Sequence, residues 1–287
     1  MITRAVIPIA GRATRLRPWS AATPKALLPL VDADGRLRAV IHWILAEAAA
    51  GGITHAALVV SPGQRAALEA YLQAAAGDAD LPRDIVCIEQ SQPRGLGDAV
   101  LEAAEFAGDE PVCVLLGDHV RRAAGRSSCT AQVLAAMDAH APDVMIGMQV
   151  IGPEALERCG VAAGEPLGDP AAGGVYRCTA LIEKPDAATA QRELVTPGLG
   201  ADRYLAHAGI YAFTPAIFDA LRDLSAEGAD GEIELTEAER RLCGRGEVLL
   251  CRVAGDVLDT GTPGAYADAF AAFARPTDGC PTGRPDV

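Results

Sequence analysis

Two lysines stand against twenty-three arginines in this 287-residue chain, and each has a proline beside it. Lys25 lies in Thr23-Pro24-Lys25, ten residues after the loop Ala10-Gly11-Arg12-Ala13-Thr14-Arg15, and Lys184 lies in Glu183-Lys184-Pro185. An ammonium group is a compact point charge that suits a phosphoryl oxygen, whereas a guanidinium fork needs a planar partner and more room. Lysines kept at two such positions are candidates for phosphate contact, with a pair of solvated surface charges as the plainer alternative.

Carboxylates supply the complementary chemistry. The apolar run Val112–Leu116 ends in Gly117-Asp118-His119, and Leu258-Asp259-Thr260-Gly261 puts a second acid after another apolar run. Mg²⁺ prefers a couple of carboxylates together with water and substrate phosphates, so a converging Asp118 and Asp259 would hold it. Either acid alone is equally a turn or cap residue, and spacing does not show that they converge. The eight cysteines (87, 113, 129, 159, 178, 243, 251 and 280) include no CxxC pair and no metal-ligand spacing. They read as small buried apolar side chains in a reducing compartment. The five histidines are scattered, and none is assigned to a metal.

These groups need a frame that brings them together. Over residues 1–150 short apolar runs alternate with helical patterns, which predicts a parallel sheet with crossover helices. Strands are expected at Ala5–Ile9, Ala56–Val60, Ile85–Ile88, Val112–Leu116 and Val144–Val150, continuous runs of the kind covered on both faces. Helices are expected at Val40–Ala50, Gln64–Ala76 and Leu96–Phe106. Between 151 and 203, stretches rich in Gly, Pro and Ala surround one apolar strand, Val175–Ile182, and read as an inserted lobe facing the substrate. Strand returns at Tyr204–Phe213 and helix at Pro215–Leu224. Thr236-Glu237-Ala238-Glu239 has the form of a capping box, which would start a helix running to Leu242. Thr262-Pro263 pairs an N-cap residue with a proline at the first helical position. Tyr266, Ala269, Phe270 and Phe273 then form one apolar face, suited to core or interface. The organisation expected is one domain over 1–275, with a core at 1–150 and a lobe with closing helices at 151–275, followed by a flexible tail at 276–287.

In an open parallel sheet, ligands bind at the carboxyl ends of the strands. The loop from Ala10 to Arg15 follows the first strand and is placed to meet a phosphate. Gly11 permits a tight turn, successive backbone N–H groups can cradle an anion, and Arg15 and Lys25 add charge. The loop is neither a Walker A sequence nor a GxGxxG fingerprint. The DxD at Asp32-Ala33-Asp34 sits in an expected loop away from Asp118 and reads as a turn.

Half of the residues are apolar, and the length suits one large domain. A net charge of -13 with no basic tract excludes a general nucleic-acid binder, so phosphates would be met by a few local cations and a divalent metal. No run of 18 apolar residues occurs, so no membrane partner is expected. The opening run Ala5–Ala10 is too short for a signal peptide, and a cytoplasmic location is expected.

The segments taken in order resemble the sugar-1-phosphate nucleotidyltransferase family. The resemblance is carried by residues 5–18, by Pro24-Lys25-Ala26-Leu27-Leu28-Pro29-Leu30, by Gln90, and by Gly95-Leu96-Gly97-Asp98-Ala99-Val100. It continues through Leu116-Gly117-Asp118, Cys159-Gly160-Val161, Glu183-Lys184-Pro185 and Gly209-Ile210-Tyr211, and closes with 231–236 and Asp259-Thr260-Gly261. It implies an α/β fold with a Rossmann-like, mostly parallel sheet flanked by helices and an inserted sugar-binding lobe. The implied reaction is Mg²⁺-dependent uridylyl transfer from UTP to glucose 1-phosphate. Thymidylyl transfer from dTTP, or a modified sugar or cyclitol phosphate, is the alternative, and a catalytically silent binding subunit the remaining one. By the same resemblance Ala10, Gly11 and Thr14 contact the nucleotide, Arg15 holds the departing pyrophosphate, and Lys25 neutralises the α-phosphate. Gln90 reads the pyrimidine with Gly95 beside it, and Asp118 and Asp259 carry the metal. Gly160, Glu183, Gly209 and Glu232 hold the sugar, Lys184 holds its phosphate, and a homodimer or homotetramer is implied.

The chain departs from that pattern at Ala13, where the family loop usually has its second glycine. If this position needs a positive φ, alanine costs roughly 1–2 kcal/mol. Asp98 and His119 are also unusual in their settings, and His207 lies where the sugar is expected, as a sugar contact or a structural histidine.

Overall fold

The first apolar run becomes β1 (Arg4–Pro8), which pairs in parallel on both sides, with β4 (His55–Val60) and β6 (Val112–Leu115). This computed structural model describes residues 1–168, 174–228, 231–243 and 246–275. The expected tail at 276–287, with Cys280, lies outside the described residues. β2 (Pro29–Val31) and β3 (Leu37–Ala39) form a separate hairpin, and β5 (Asp84–Glu89) extends the parallel block beyond β4.

The second half of the sheet is built differently. β8 (Val144–Ile151), β9 (Gly160–Leu167), β10 (Val175–Glu183), β11 (Tyr204–Phe213) and β12 (Val248–Arg252) complete nine strands in the order β5-β4-β1-β6-β11-β8-β12-β10-β9. Only β8 with β12 is parallel here; β11 runs against β6, β8 and β9, and β10 runs against β9 and β12. The mostly parallel pattern therefore holds for the block around β1 and gives way to a mixed sheet after β6. β9 and β10 are hydrogen-bonded into the main sheet, so the expected insertion continues the sheet. It adds a small core of its own around Leu156, Val161, Leu194 and Tyr204. β7 (His119–Ala123) and β13 (Gly255–Asp259) pair antiparallel as a ribbon beside the sheet.

Alternation along the strands explains the two main cores. Ala5 and Ile7 share one core with Ile41, Ile44 and Leu45 of a helix at Val40–Ala50, whereas Val6 shares the other with Val100, Leu221 and Leu242. In chain order the helices are α1 (Trp19–Ala22), α2 (Val40–Ala50), α3 (Arg65–Ala74), α4 (Leu96–Glu102), α5 (Ala104–Ala107) and α6 (Cys129–His140). They continue as α7 (Ala187–Glu193), α8 (Ala216–Glu227), α9 (Leu235–Cys243) and α10 (Pro263–Phe273). The expected Leu96–Phe106 helix is thus two, broken at Ala103, where φ is -92° and ψ is 9°. Thr262 caps α10 as expected, accepting from Ala265 N–H at 3.2 Å.

The capping box at 236–239 does not form. α9 begins one residue earlier, at Leu235. The Thr236 hydroxyl donates across to Glu183 Oε2 at 3.1 Å, while Glu239 is fully buried with neither carboxyl oxygen hydrogen-bonded. Packing of α9 on the sheet overrides the local pattern and commits both side chains to tertiary surroundings.

Candidate active site

The loop after β1, the end of β6 and the β7–β13 ribbon enclose a cleft of about 670 Å³. Thr14, Arg15, Lys25, Asp118, Gly160, Glu183, Lys184, Glu232 and Asp259 all line it. The structure thus gathers residues separated by almost the whole chain, including both lysines. Ala10, Gly11, Gln90, Gly95 and Gly209 lie off this wall.

The phosphate loop is set by Ala13 and not by Gly11. Ala13 sits in the left-handed region at φ 46° and ψ 42°, and its carbonyl accepts from Leu16 N–H at 3.0 Å and Ser20 Oγ at 2.8 Å. Gly11 has no positive φ, and a Cβ there would meet nothing within 4 Å, so the turn makes no demand for glycine at that position. The reversal at Ala13 leads into a 3₁₀ turn at Thr14–Leu16, which brings Thr14 and Arg15 to the cleft.

Lys25 opens a second 3₁₀ turn directly after Pro24. Its Nζ lies 2.6 Å from Asp118 Oδ2, in a pair only 14% and 27% exposed. Asp118 Oδ1 pairs with His119 Nδ1 at 3.0 Å. Burial alone would raise the Asp118 pKa; the Lys25 charge and the His119 contact outweigh it and hold the carboxyl well below the usual range. Asp118 is therefore an anion at neutral pH.

The ribbon settles the convergence that spacing left open. Asp259 pairs with His119 in the ladder, and Thr260 donates both its N–H and its hydroxyl to the Asp118 carbonyl, each at 2.8 Å. A Cβ placed on Gly261 would lie 3.0 Å from Asp259 Oδ1 and 3.5 Å from Asp118 Oδ2. Both carboxylates thus border one small space that glycine leaves open. Two hard oxygen donors beside an open cleft fit Mg²⁺, which keeps most of its shell for water and phosphate.

At the opposite end, Lys184 takes a left-handed φ of 47°, and its N–H donates to the Cys159 carbonyl at 3.1 Å. Its Nζ lies 3.0 Å from Glu183 Oε1, and the hydrogen bond to Glu183 raises its pKa against the effect of burial. Gly160 is required here by space, because a Cβ would come within 2.9 Å of the His207 ring and 3.0 Å of Glu183 Oε2. Gly209 takes φ 67° inside β11 and packs behind the wall against Arg121 and Leu116. It shapes the strand behind the cleft lining.

Gln90 is nearly buried, and its amide is locked. Its Nε2 donates to the Gly95 carbonyl at 3.1 Å and to Asp98 Oδ2 at 2.8 Å. Arg94 forks onto Asp98 Oδ1 at 3.0 and 2.7 Å, so the Asp98 carboxyl accepts from Arg94 on one oxygen and from Gln90 on the other. With both amide hydrogens committed, Gln90 has only its carbonyl oxygen left to offer. Gly95, at φ 98°, brings its backbone against Glu232 and the Ile233 carbonyl and joins this end of the cleft to the loop before α9.

Sequence reasoning did not find Thr236, Thr260 or Tyr211 as members of the site. Thr236 carried a misleading signal in the capping pattern, and Thr260 is visible only through the ladder. His42, Asp78 and Asp80 form a separate group whose ligand atoms lie within 4.8 Å of one another. None of the three lines the cleft, and the Arg38 guanidinium already pairs with both aspartates, so this cluster is an ion-pair network. No described helix is long and apolar enough to cross a membrane.

Comparison with known proteins agrees with this geometry. A nucleotidyl transferase family model matches residues 4–275. A UTP–glucose-1-phosphate uridylyltransferase 2 of Staphylococcus saprophyticus is 33% identical over 278 residues, covering 91% of this chain and 88% of the relative. A UTP–glucose-1-phosphate uridylyltransferase of Bacillus subtilis is 34% identical over 260 residues, covering 84% and 80%. Among solved structures, a UDP-glucose pyrophosphorylase complexed with UDP-glucose superposes with a TM-score of 0.78 at 25% identity, covering 95% of this chain and 98% of that one.

Proposed function

Since the chain belongs to the nucleotidyl transferase family, we propose that it transfers a uridylyl group from UTP to glucose 1-phosphate, releasing pyrophosphate and UDP-glucose. The observation that carries the reading is the cleft itself: Arg15, Lys25 and Lys184 line it together with the converging Asp118 and Asp259. A phosphate oxygen of the sugar 1-phosphate attacks the α-phosphorus in line, and pyrophosphate departs. The nucleophile is already an anion, so the cleft needs no general base. The work lies in aligning two polyanions and offsetting their charge.

The residues divide that work by position. Lys184 holds the sugar phosphate, with Glu183, Gly160 and Glu232 around the sugar. Lys25 faces the α-phosphate, and Arg15 with the backbone near Ala10, Gly11 and Thr14 takes the β- and γ-phosphates. Asp118 and Asp259 would hold Mg²⁺, which when bound supplies further neutralisation of the phosphates. The Lys25–Asp118 contact holds the two side chains in place.

Gln90 favours uracil or thymine. Its remaining carbonyl oxygen is an acceptor, which suits the N3–H of those bases and repels the N3 lone pair of cytosine. The same geometry serves dTTP, which is the second reading. Pyrophosphate release with glucose 1-phosphate against five separate nucleotides tests both; turnover with UTP supports the first reading, and preference for dTTP replaces it by the second.

A further inference from the structure

Three buried polar side chains meet at the sugar end of the cleft, and two of them, His207 and Glu239, keep polar atoms without hydrogen-bond partners. His207 and Tyr211, 6% and 3% exposed, both line the cleft, and Glu239 behind them is fully buried. His207 Nδ1 lies 3.2 Å from the Tyr211 hydroxyl, and His207 Nε2 lies 4.0 Å from Glu239 Oε2. Neither that Nε2 nor either Glu239 oxygen has a hydrogen-bond partner. Burial pushes the His207 pKa down to about 4 and that of Glu239 well above the carboxylate range, so imidazole and carboxylic acid are both neutral.

Stability does not call for these groups. An unpaired buried polar atom is destabilising, and apolar replacements of similar volume usually improve a core. The surrounding core of Ala238, Leu242 and Phe213 would accept aliphatic side chains here. The position of the three explains their presence better. β11 is irregular between His207 and Tyr211, both side chains line the cleft, and Gly160 leaves the space in front of the His207 ring and Glu183.

We propose that the hydrogen-bonded His207–Tyr211 pair, backed by the Glu239 carboxyl 4.0 Å behind the ring, forms a relay that reads one ring hydroxyl of the acceptor sugar. The inference rests on the proposed function, which puts a hexose 1-phosphate at this end. In one polarity His207 Nδ1–H donates to the Tyr211 oxygen and the Tyr211 O–H donates to the sugar. In the other the Tyr211 O–H donates to His207 Nδ1 and the Tyr211 oxygen accepts from the sugar. A hydroxyl satisfies both polarities, whereas a methylene satisfies neither, so the ligand class is a hexose 1-phosphate with that hydroxyl intact. Glu239 and His207 are positioning residues, and Tyr211 makes the contact.

The test compares glucose 1-phosphate with its 2-, 3-, 4- and 6-deoxy analogues, each with UTP, in the wild type and in Tyr211→Phe, His207→Val and Glu239→Leu. In the wild type, one deoxy position loses on the order of a hundredfold in kcat/KM, the scale for an unmet hydrogen bond in a built site. That penalty falls to a few-fold in Tyr211→Phe and drops partway in the other two, while penalties at the remaining positions and the KM for UTP stay unchanged. A merely structural role would lower all substrates together and leave the ratios alone, which overturns the relay. Glu239→Leu removes an unpaired carboxyl without touching the cleft wall, so it decides the matter even if Tyr211→Phe folds poorly. If the wild type turns over no hexose 1-phosphate with any nucleotide, the proposed function fails and the relay falls with it.

Discussion

Replacing Ala13 by glycine tests whether the phosphate loop is strained in the way its backbone indicates. At φ 46° and ψ 42°, an L-residue with a Cβ is destabilised by roughly 1–2 kcal/mol relative to glycine. Glycine also gains freedom in the unfolded chain, which takes back about 0.5–1 kcal/mol. The net expectation for Ala13→Gly is therefore a stabilisation of about 0.5–1 kcal/mol, or roughly 1–4 °C in Tm for a chain of this size. Ala13→Val supplies the opposite arm: a β-branched side chain tolerates the left-handed region worse than alanine, and it should destabilise the fold by more than about 1 kcal/mol. Ala13 also lines the cleft beside Thr14 and Arg15, so removing its methyl should lower the KM for the nucleotide and leave that for the sugar phosphate unchanged. Urea denaturation gives the stabilities, and pyrophosphate release gives the two KM values. If Ala13→Gly proves less stable than the wild type and Ala13→Val more stable, the strain argument is wrong. An unchanged nucleotide KM would show that the methyl does not crowd the triphosphate.

Other perturbations separate the remaining roles. Lys25→Ala and Asp118→Asn should each reduce kcat by about 10²–10³-fold, the scale for losing one preorganised charge, with far-ultraviolet circular dichroism unchanged; near-wild-type turnover in either would remove that residue from the chemistry. Asp98→Asn frees the Gln90 amide to rotate, so discrimination of UTP over CTP should fall, and an unaltered ratio would show that Gln90 does not face the base. Glu239→Leu bears on stability against pH. The folded wild type keeps its Glu239 proton where the unfolded chain, with a pKa of about 4.3, has lost it, so its stability falls as pH rises through that range, by up to about 1.4 kcal/mol per unit. The variant lacks this loss and should gain on the wild type between about pH 5 and 8, whereas parallel curves would mean that Glu239 is ionised in the fold.

Much of the frame was legible because its strands are buried on both faces. Tyr204–Phe213 and Val40–Ala50 are found at the bounds expected from their apolar runs, and the parallel block around β1 follows from the strand and helix alternation. The mixed half was not legible, since runs such as Val175–Glu183 look the same whether their neighbours run with them or against them. At the site, the two lysines and two aspartates announced themselves by residue type and setting. Their meeting depends on the β7–β13 ribbon, in which Asp259 lies opposite His119 across well over a hundred residues, and no local pattern encodes such a register. The Thr236 motif shows the converse: a sound local rule gave a cap where tertiary packing gave a bond to Glu183. Of the relay groups, His207 is marked in the sequence as a sugar contact or a structural histidine, whereas Glu239 reads as part of a cap and nothing local shows that the fold encloses it.

The most direct test of the account is pyrophosphate release with glucose 1-phosphate and Mg²⁺, measured separately with UTP, dTTP, ATP, CTP and GTP. The account predicts turnover with UTP, weaker or comparable turnover with dTTP, and little with CTP, because Gln90 has only an acceptor to offer. Turnover led by CTP or a purine nucleotide would contradict the reading of the base, and silence with all five would contradict the transfer reaction itself.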